Sequence, residues 1–350
     1  MLRYEEIEEF SNQMNIDKSR LKIIGKIYLA NVQKRLKQLD NPEEVDCKRW
    51  PWELVQNAKD SIANEEDRES VNIVIIKENN IYTFKHDGSP FNTKSLTSLL
   101  YHFHSGKVND NESTGRFNTG FFNNSYGLKR TENSFKTYEE TFGWTSYKYI
   151  TTTEKNNEAG KLGIQNFKEN IAIVMLNCPE IHSVKLIDDG KEFSIERGEE
   201  LKFSDSECKQ LTLFINNNGI NSKKTFIYTE INEYNQDLSE RFGVERNLRI
   251  CCAVELDENN NIYVNTSSPC LFCSIPLVGS EVHHQFPYII NSPDFEPDGE
   301  RQSILLDGEK INERTKKITS SGINQMILDR SYDMYETLIQ FLSKNNIRNR

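Results

Sequence analysis

Residues 49–60 read RWPWELVQNAKD. Glu53, Asn57 and Asp60 follow one another at spacings of four and three, and positions i, i+4 and i+7 share one face of an α-helix. The stretch therefore predicts a helix face carrying a carboxylate, a carboxamide and a second carboxylate. Leu54, Ala58 and Ile62 can pack nearby, and Trp50 and Trp52 stand as large apolar anchors just before that face. A carboxylate can polarise a water, and a carboxamide oxygen is a hard ligand suited to Mg²⁺. An ordinary amphipathic helix would account for E-x-x-x-N by itself.

Two later segments narrow the choice. The first is YTFKHDGSPF, in which His86-Asp87-Gly88-Ser89-Pro90-Phe91 follows an expected strand pair. Residues 71–76 (VNIVII) are β-branched and apolar, 78–80 form a turn, and 81–84 begin the return strand, which Asp87-Gly88 then breaks. The second is Ser113-Thr114-Gly115-Arg116-Phe117-Asn118-Thr119-Gly120-Phe121. Its two glycines, five apart, frame a turn at the start of an expected helix, where free backbone N–H groups can cradle phosphate.

In this order and spacing the three segments resemble the Bergerat-fold (GHKL) ATPases, the superfamily of gyrase, the 90-kDa heat-shock chaperone, histidine kinases and MutL. The likeness is greatest to sacsin-type and bacterial chaperone-like ATP-binding proteins, and it covers residues 45–150 most closely. The fold it implies is α+β: a Bergerat α/β sandwich over 1–153 followed by a transducer-like α+β domain over 154–350. By the same likeness Glu53 is the general base, Asn57 the Mg²⁺ ligand, and Asp60 a hydrogen-bond partner near the nucleotide or a brace for the next loop. His86, Asp87, Gly88 and Phe91 would meet the adenine of ATP. Ser105 and Lys107 would sit in a lid over 101–114. Gly115, Arg116, Phe117, Asn118, Thr119, Gly120 and Phe121 would wrap the phosphates, and Thr145, in Gly143-Trp144-Thr145, would hold adenine through water.

Three departures from that pattern are visible. His86 stands where the chaperones place an adenine-reading Asp, with Asp87 one residue later, so both remain candidates. A histidine reader would make binding depend on pH across the ordinary histidine range, about 5.5 to 8. Asn118 replaces a glycine of the phosphate loop, a substitution that left-handed backbone tolerates in Asn better than in other residues. About 22 residues separate Gly120 from Gly143, which leaves room for a shortened sheet.

A chain of 350 residues suits two domains, and its hydrophobic share of 36% permits a packed core. Mean hydropathy is −0.68 and no run approaches the length of a membrane span, so the expectation is a cytoplasmic protein without membrane contact. The net charge of −10 argues against an extended nucleic-acid groove. Seven cysteines in a chain without an export signal predict free thiols, and Cys270-Leu-Phe-Cys273 reads as part of a buried strand rather than a zinc site.

Residues 18–39 have helical period and would serve as a core helix or a dimerisation arm. Residues 154–160 read as a polar linker and 164–176 as a helix. Strands follow at 184–187, 211–215, 225–231, 250–256, 262–265 and 271–276, then helical pattern over 312–342. The loop from Asn291 to Arg301 is punctuated by Pro293 and Pro297 and ends in an acid–base pair. Arg301 is either a finger delivered to the γ-phosphate or a surface residue paired with Glu300. His283-His284 read as surface or core histidines. The chain stops at KNNIRNR straight after a helical pattern, as a piece of something longer would.

Histidine kinase and topoisomerase activities are not expected, because neither a His-bearing dimerisation helix nor a DNA-cleavage segment is present. The function expected is a Mg²⁺-dependent ATP-driven switch with slow hydrolysis, chaperone-like or defence-associated, with a protein client and a second copy of the chain as candidate partners. The alternative is a pseudo-ATPase scaffold that has lost turnover.

Overall fold

The alternation at 71–76 sets the first face of the sheet. In β1 (Val71–Glu78), Val71, Ile73 and Ile75 are buried, and β2 (Ile81–His86) returns antiparallel with Phe84 opposite Ile75 and His86 opposite Ile73. Directly opposed residues share a face, so Tyr82, Phe84 and His86 join the same core. The turn between the strands is Asn79-Asn80, with Asn79 at φ 54°, a left-handed conformation that Asn accepts more readily than most residues. The computed structural model describes residues 44–63, 65, 67–89, 143–266, 268–280, 288–298 and 302–347.

Among these residues an α+β architecture of four helices and one large mixed sheet emerges. The helices are α1 (Glu44–Asp60), α2 (Glu154–Asn177), α3 (Gln236–Phe242) and α4 (Ser320–Lys344). The remaining strands are β3 (Thr145–Ile150), β4 (Ile181–Asp188), β5 (Lys191–Lys202), β6 (Lys209–Asn217), β7 (Ile220–Tyr234), β8 (Asn247–Leu256), β9 (Ile262–Tyr263), β10 (Leu271–Cys273), β11 (Ile275–Pro276) and β12 (Ile289–Asn291). The strand order is β11-β10-β12-β8-β7-β6-β5-β4-β1-β2-β3, with β9 on β8. β1 pairs with β4 and β10 with β12 in parallel, and every other pair is antiparallel. The boundary expected at 153 falls between β3 and α2, and the ladder crosses it through the β1–β4 pair.

Strand alternation also divides the core. On one face α1 and α2 pack on each other and on β1 and β2, through Trp52, Leu54, Ala58, Phe167 and Ile171. On the other, Ile250, Cys252 and Val254 of β8 meet α4 through Ile323, Ile327 and Leu338. Pro51 lies inside α1, where a proline typically costs about 3 kcal/mol. Its neighbours outweigh that cost. Trp50 and Trp52 are 7% and 1% exposed, and an aromatic ring of this size buries on the order of 200 Å², worth roughly 5 kcal/mol at ~25 cal/mol per Å². Trp52 lies 5.2 Å from Phe167 and donates from Nε1 to Asn166 Oδ1 at 2.9 Å. Trp50 meets Tyr82 edge-on at 5.8 Å and sits so close to Gly163 that a Cβ there would fall 1.9 Å from its Nε1.

Several sequence expectations need correction. The helix starts at Glu44, ahead of the stretch 49–60. Residues 154–160 are no linker but the first turns of α2. Thr153 caps the helix by accepting from the Asn156 N–H, and the polar residues occupy its outer side until Ala159 and Gly160 turn inward. The last helix starts at Ser320, capped by Thr319. Before it, Ile311 bridges Ile318 across a turn in which Asn312 Oδ1 accepts from the N–H groups of Arg314 and Thr315. The stretch 271–276 is two short strands broken at Ser274, whose φ is 64°. β5 and β12 had no counterpart in the sequence reading; β5 carries only Phe193 and Ile195 as buried apolar residues among charged neighbours.

None of the seven cysteines is in a disulfide, and Cys273 is buried in β10. No helix among the described residues is long and apolar enough to cross a membrane.

Candidate functional site

The helix predicted over 49–60 forms, and it is buried almost all round. From Arg49 to Asp60 every residue is buried except Asn57, which is half-exposed. Glu53 is buried and paired with Arg49 one turn earlier, Nη2 to Oε1 at 3.1 Å, with both side chains largely withdrawn from solvent. Asp60 is buried at the C-terminal end of the helix.

That end of α1 meets the loop leaving β2. A Cβ on Gly88 would come within 2.0 Å of Ser61 Oγ and 3.3 Å of Ile62 Cγ2, so only glycine lets the chain lie this close to the helix. Ser61 itself is tied down, its hydroxyl donating to the Ala58 carbonyl at 2.6 Å. The segment His86-Asp87-Gly88 is thereby pressed against the residues that follow Asn57 and Asp60. On its other side, β3 pairs with β2 so that Thr145 stands directly opposite His86.

His86 and Asp87 have different surroundings. Asp87 accepts from the Asn72 backbone N–H at 2.7 Å and from Asn72 Nδ2 at 2.8 Å, donates its own N–H to the Asn72 carbonyl, and pairs with Arg68 at 3.4 Å. Ser183 extends the chain by donating to Asn72 Oδ1 at 2.6 Å. Asp87 thus pins the end of β2 to β1 and, through Ser183, to β4. His86 is completely buried, and neither ring nitrogen has a hydrogen-bond partner among the described residues. Its ring stacks on Tyr147 at 6.2 Å between centroids. Burial pushes its pKa down from 6.5 to about 4; Asp87 pulls it upward and Arg68 adds to the fall.

No family model matches the chain, and no curated protein matches it.

Glu53, Asn57, Asp60, His86, Asp87, Gly88 and Thr145, drawn from three separate stretches, lie on α1, β2 with its following loop, and β3, elements that pack on or pair with one another. Phe91, Ser105, Lys107, Gly115, Arg116, Phe117, Asn118, Thr119, Gly120, Phe121 and Arg301 lie outside the described residues, as do the helix expected at 18–39 and His283-His284. Among the described residues no cluster of three or more His, Cys, Asp or Glu side chains is arranged to hold a metal ion.

The pH window expected for a histidine reader is also corrected, because a ring with its pKa near 4 stays neutral throughout the ordinary histidine range. Sequence reasoning passed over Arg49, Arg68, Asn72 and Tyr147. Arg49 was within reach, since it precedes Glu53 by four on a predicted helix. Asn72 and Tyr147 depend on strand register, Arg68 lies in the loop before β1, and none of the three had a local signal.

Proposed function

We propose that the chain binds Mg·ATP where α1, β2 and β3 meet, in a Bergerat-type unit, and that slow hydrolysis drives a conformational switch. The observation that carries this reading is His86. A buried imidazole with neither nitrogen paired leaves hydrogen-bonding capacity unmet, at a cost of about 1–3 kcal/mol for each such group. The polar edge of a purine offers the missing partner, in the place where the resemblance puts adenine. Thr145 supplies a hydroxyl from across the ladder.

At the other end of the site, the half-exposed Asn57 is the residue of 49–60 accessible to a ligand. It would be a single protein ligand to Mg²⁺, an ion that keeps several waters and takes phosphate oxygens for the rest of its octahedron. Bound there, Mg²⁺ would neutralise phosphate charge. Glu53 would act as general base towards the attacking water. On sequence grounds the loop 115–120 and Arg301 would stabilise the phosphates. A cytoplasmic setting and a protein client or a second copy of the chain complete the reading.

One observation favours the alternative of a binding scaffold without turnover. Glu53 is engaged by Arg49, so its carboxylate has to leave or share that pairing before it can serve a water.

A thermal-shift titration with Mg·ATP followed by a phosphate-release assay separates the two. Stabilisation with release that disappears in Glu53→Ala supports the ATPase. Stabilisation without release supports the scaffold, and no stabilisation at millimolar nucleotide removes both.

A further inference from the structure

An ionised aspartate in the base-reading position can only accept a hydrogen bond. A neutral imidazole carries one donor and one acceptor, and the two can exchange nitrogens. The choice is ordinarily set by the hydrogen bond that the second nitrogen makes. His86 has no such partner on either nitrogen among the described residues. The charged groups near it do not supply one: Asp87 is held by Asn72 and Arg68, and Arg68 pairs with Asp87. Tyr147 meets the imidazole in a stacked arrangement. The ring is neutral at ordinary pH, so both hydrogen-bonding modes are open to it. Thr145, directly opposite, adds a hydroxyl that can also either donate or accept.

Purines differ in polarity at position 6. Adenine presents an amino donor there, and guanine or hypoxanthine a carbonyl acceptor. A site committed to one polarity rejects the other strongly, because the mismatch leaves buried polar groups unpaired. His86 is not committed. Resting on the nucleotide-site reading above, we propose that the site at His86 accepts 6-oxopurine nucleotides as well as adenine nucleotides. His86 would offer its acceptor to a 6-amino group and its donor to a 6-oxo group. The substrate class is then purine nucleoside triphosphates, and His86 is the residue that sets it.

The test is calorimetric titration of the full chain with Mg·ATP and with Mg·ITP. The inosine base differs from adenine at position 6 and in the protonation of N1, and brings no additional amino group to be accommodated. In the wild type the two dissociation constants should lie within about tenfold of each other. His86→Asn, whose carboxamide also has a donor and an acceptor, should keep that ratio. His86→Asp, which only accepts, should keep ATP and lose ITP by about 100-fold or more.

A wild-type preference for ATP beyond about 100-fold overturns the proposal while leaving ATP binding intact. So does an unchanged ratio in folded His86→Asp. Should the aspartate variant not fold, the wild-type ratio and His86→Asn decide alone. Failure of the folded wild type to bind either nucleotide would instead remove the site itself.

Discussion

At the scale of single residues the described part of the chain holds buried polar groups of two kinds, those fully partnered and those with atoms left unpaired. His86 is of the second kind, and its depressed pKa has a definite consequence for stability. The unfolded chain protonates this ring near pH 6.5, while the folded chain resists until about pH 4. Between those values the unfolded state holds the extra proton, so stability is full above the window and falls as pH drops through it. The His86 contribution to this fall should be on the order of 3 kcal/mol, and His86→Asn should lack it. Urea melts of both proteins across the window measure the difference, and parallel curves would refute the assignment. Nucleotide affinity, by contrast, should stay flat down to about pH 5, because the imidazole remains neutral there.

Arg49 and Glu53 are the paired kind. Arg49→Met should cost about 1.5–3 kcal/mol, the worth of a hydrogen bond between charged groups. Arg49→Met combined with Glu53→Gln should recover part of that loss, since the buried charge is removed along with its partner. A double variant no more stable than Arg49→Met would show that the ion pair is not the source of the loss.

At the scale of elements, the site depends on how closely the β2 loop lies against α1. Gly88→Ala should destabilise by about 1–3 kcal/mol, as overpacking does. The Cβ meets Ser61 Oγ before anything else, so adding Ser61→Ala should return most of the loss. Thermal melts of the two single variants and the double report this, and strict additivity would place the strain elsewhere. The start of α2 is equally testable. Thr153→Ala should cost about 1 kcal/mol if Thr153 caps the helix, and nothing if 154–160 were a linker.

These cases indicate what a local reading can reach. The α1 helix, the 71–86 hairpin and most later strands were legible because period and turn residues declare themselves within a few positions. The beginning of α2 was hidden by its polar outer side. β5 was hidden because Phe193 and Ile195 are its only buried apolar residues. At the site, Glu53, Asn57, His86 and Gly88 could be found from motif spacing. The division of labour between His86 and Asp87 could not. It is set by the register that brings Asn72 beside Asp87, and register is a property of paired strands.

At the scale of the whole molecule, the parallel pairing of β1 with β4 ties the half that holds the candidate site to the strands that follow. It is reinforced where Lys77 of β1 reaches Asp188 at 2.7 Å and also Asp189. α2 covers α1 from the other side of residue 153. Separate segments 1–153 and 154–350 should therefore be poorly soluble when produced alone and should co-purify when produced together. Two independently stable halves without mutual affinity would contradict this coupling.

The central claim is that the corner of α1, β2 and β3 binds nucleotide through a metal held at Asn57. Calorimetric titration of ATP into the folded wild type and into Asn57→Ala, each with and without Mg²⁺, tests it most directly. The account predicts saturable binding by the wild type, a loss of about tenfold or more in Asn57→Ala with Mg²⁺ present, and a much smaller loss when Mg²⁺ is omitted from both. No binding by the wild type, or equal losses with and without Mg²⁺, would contradict it.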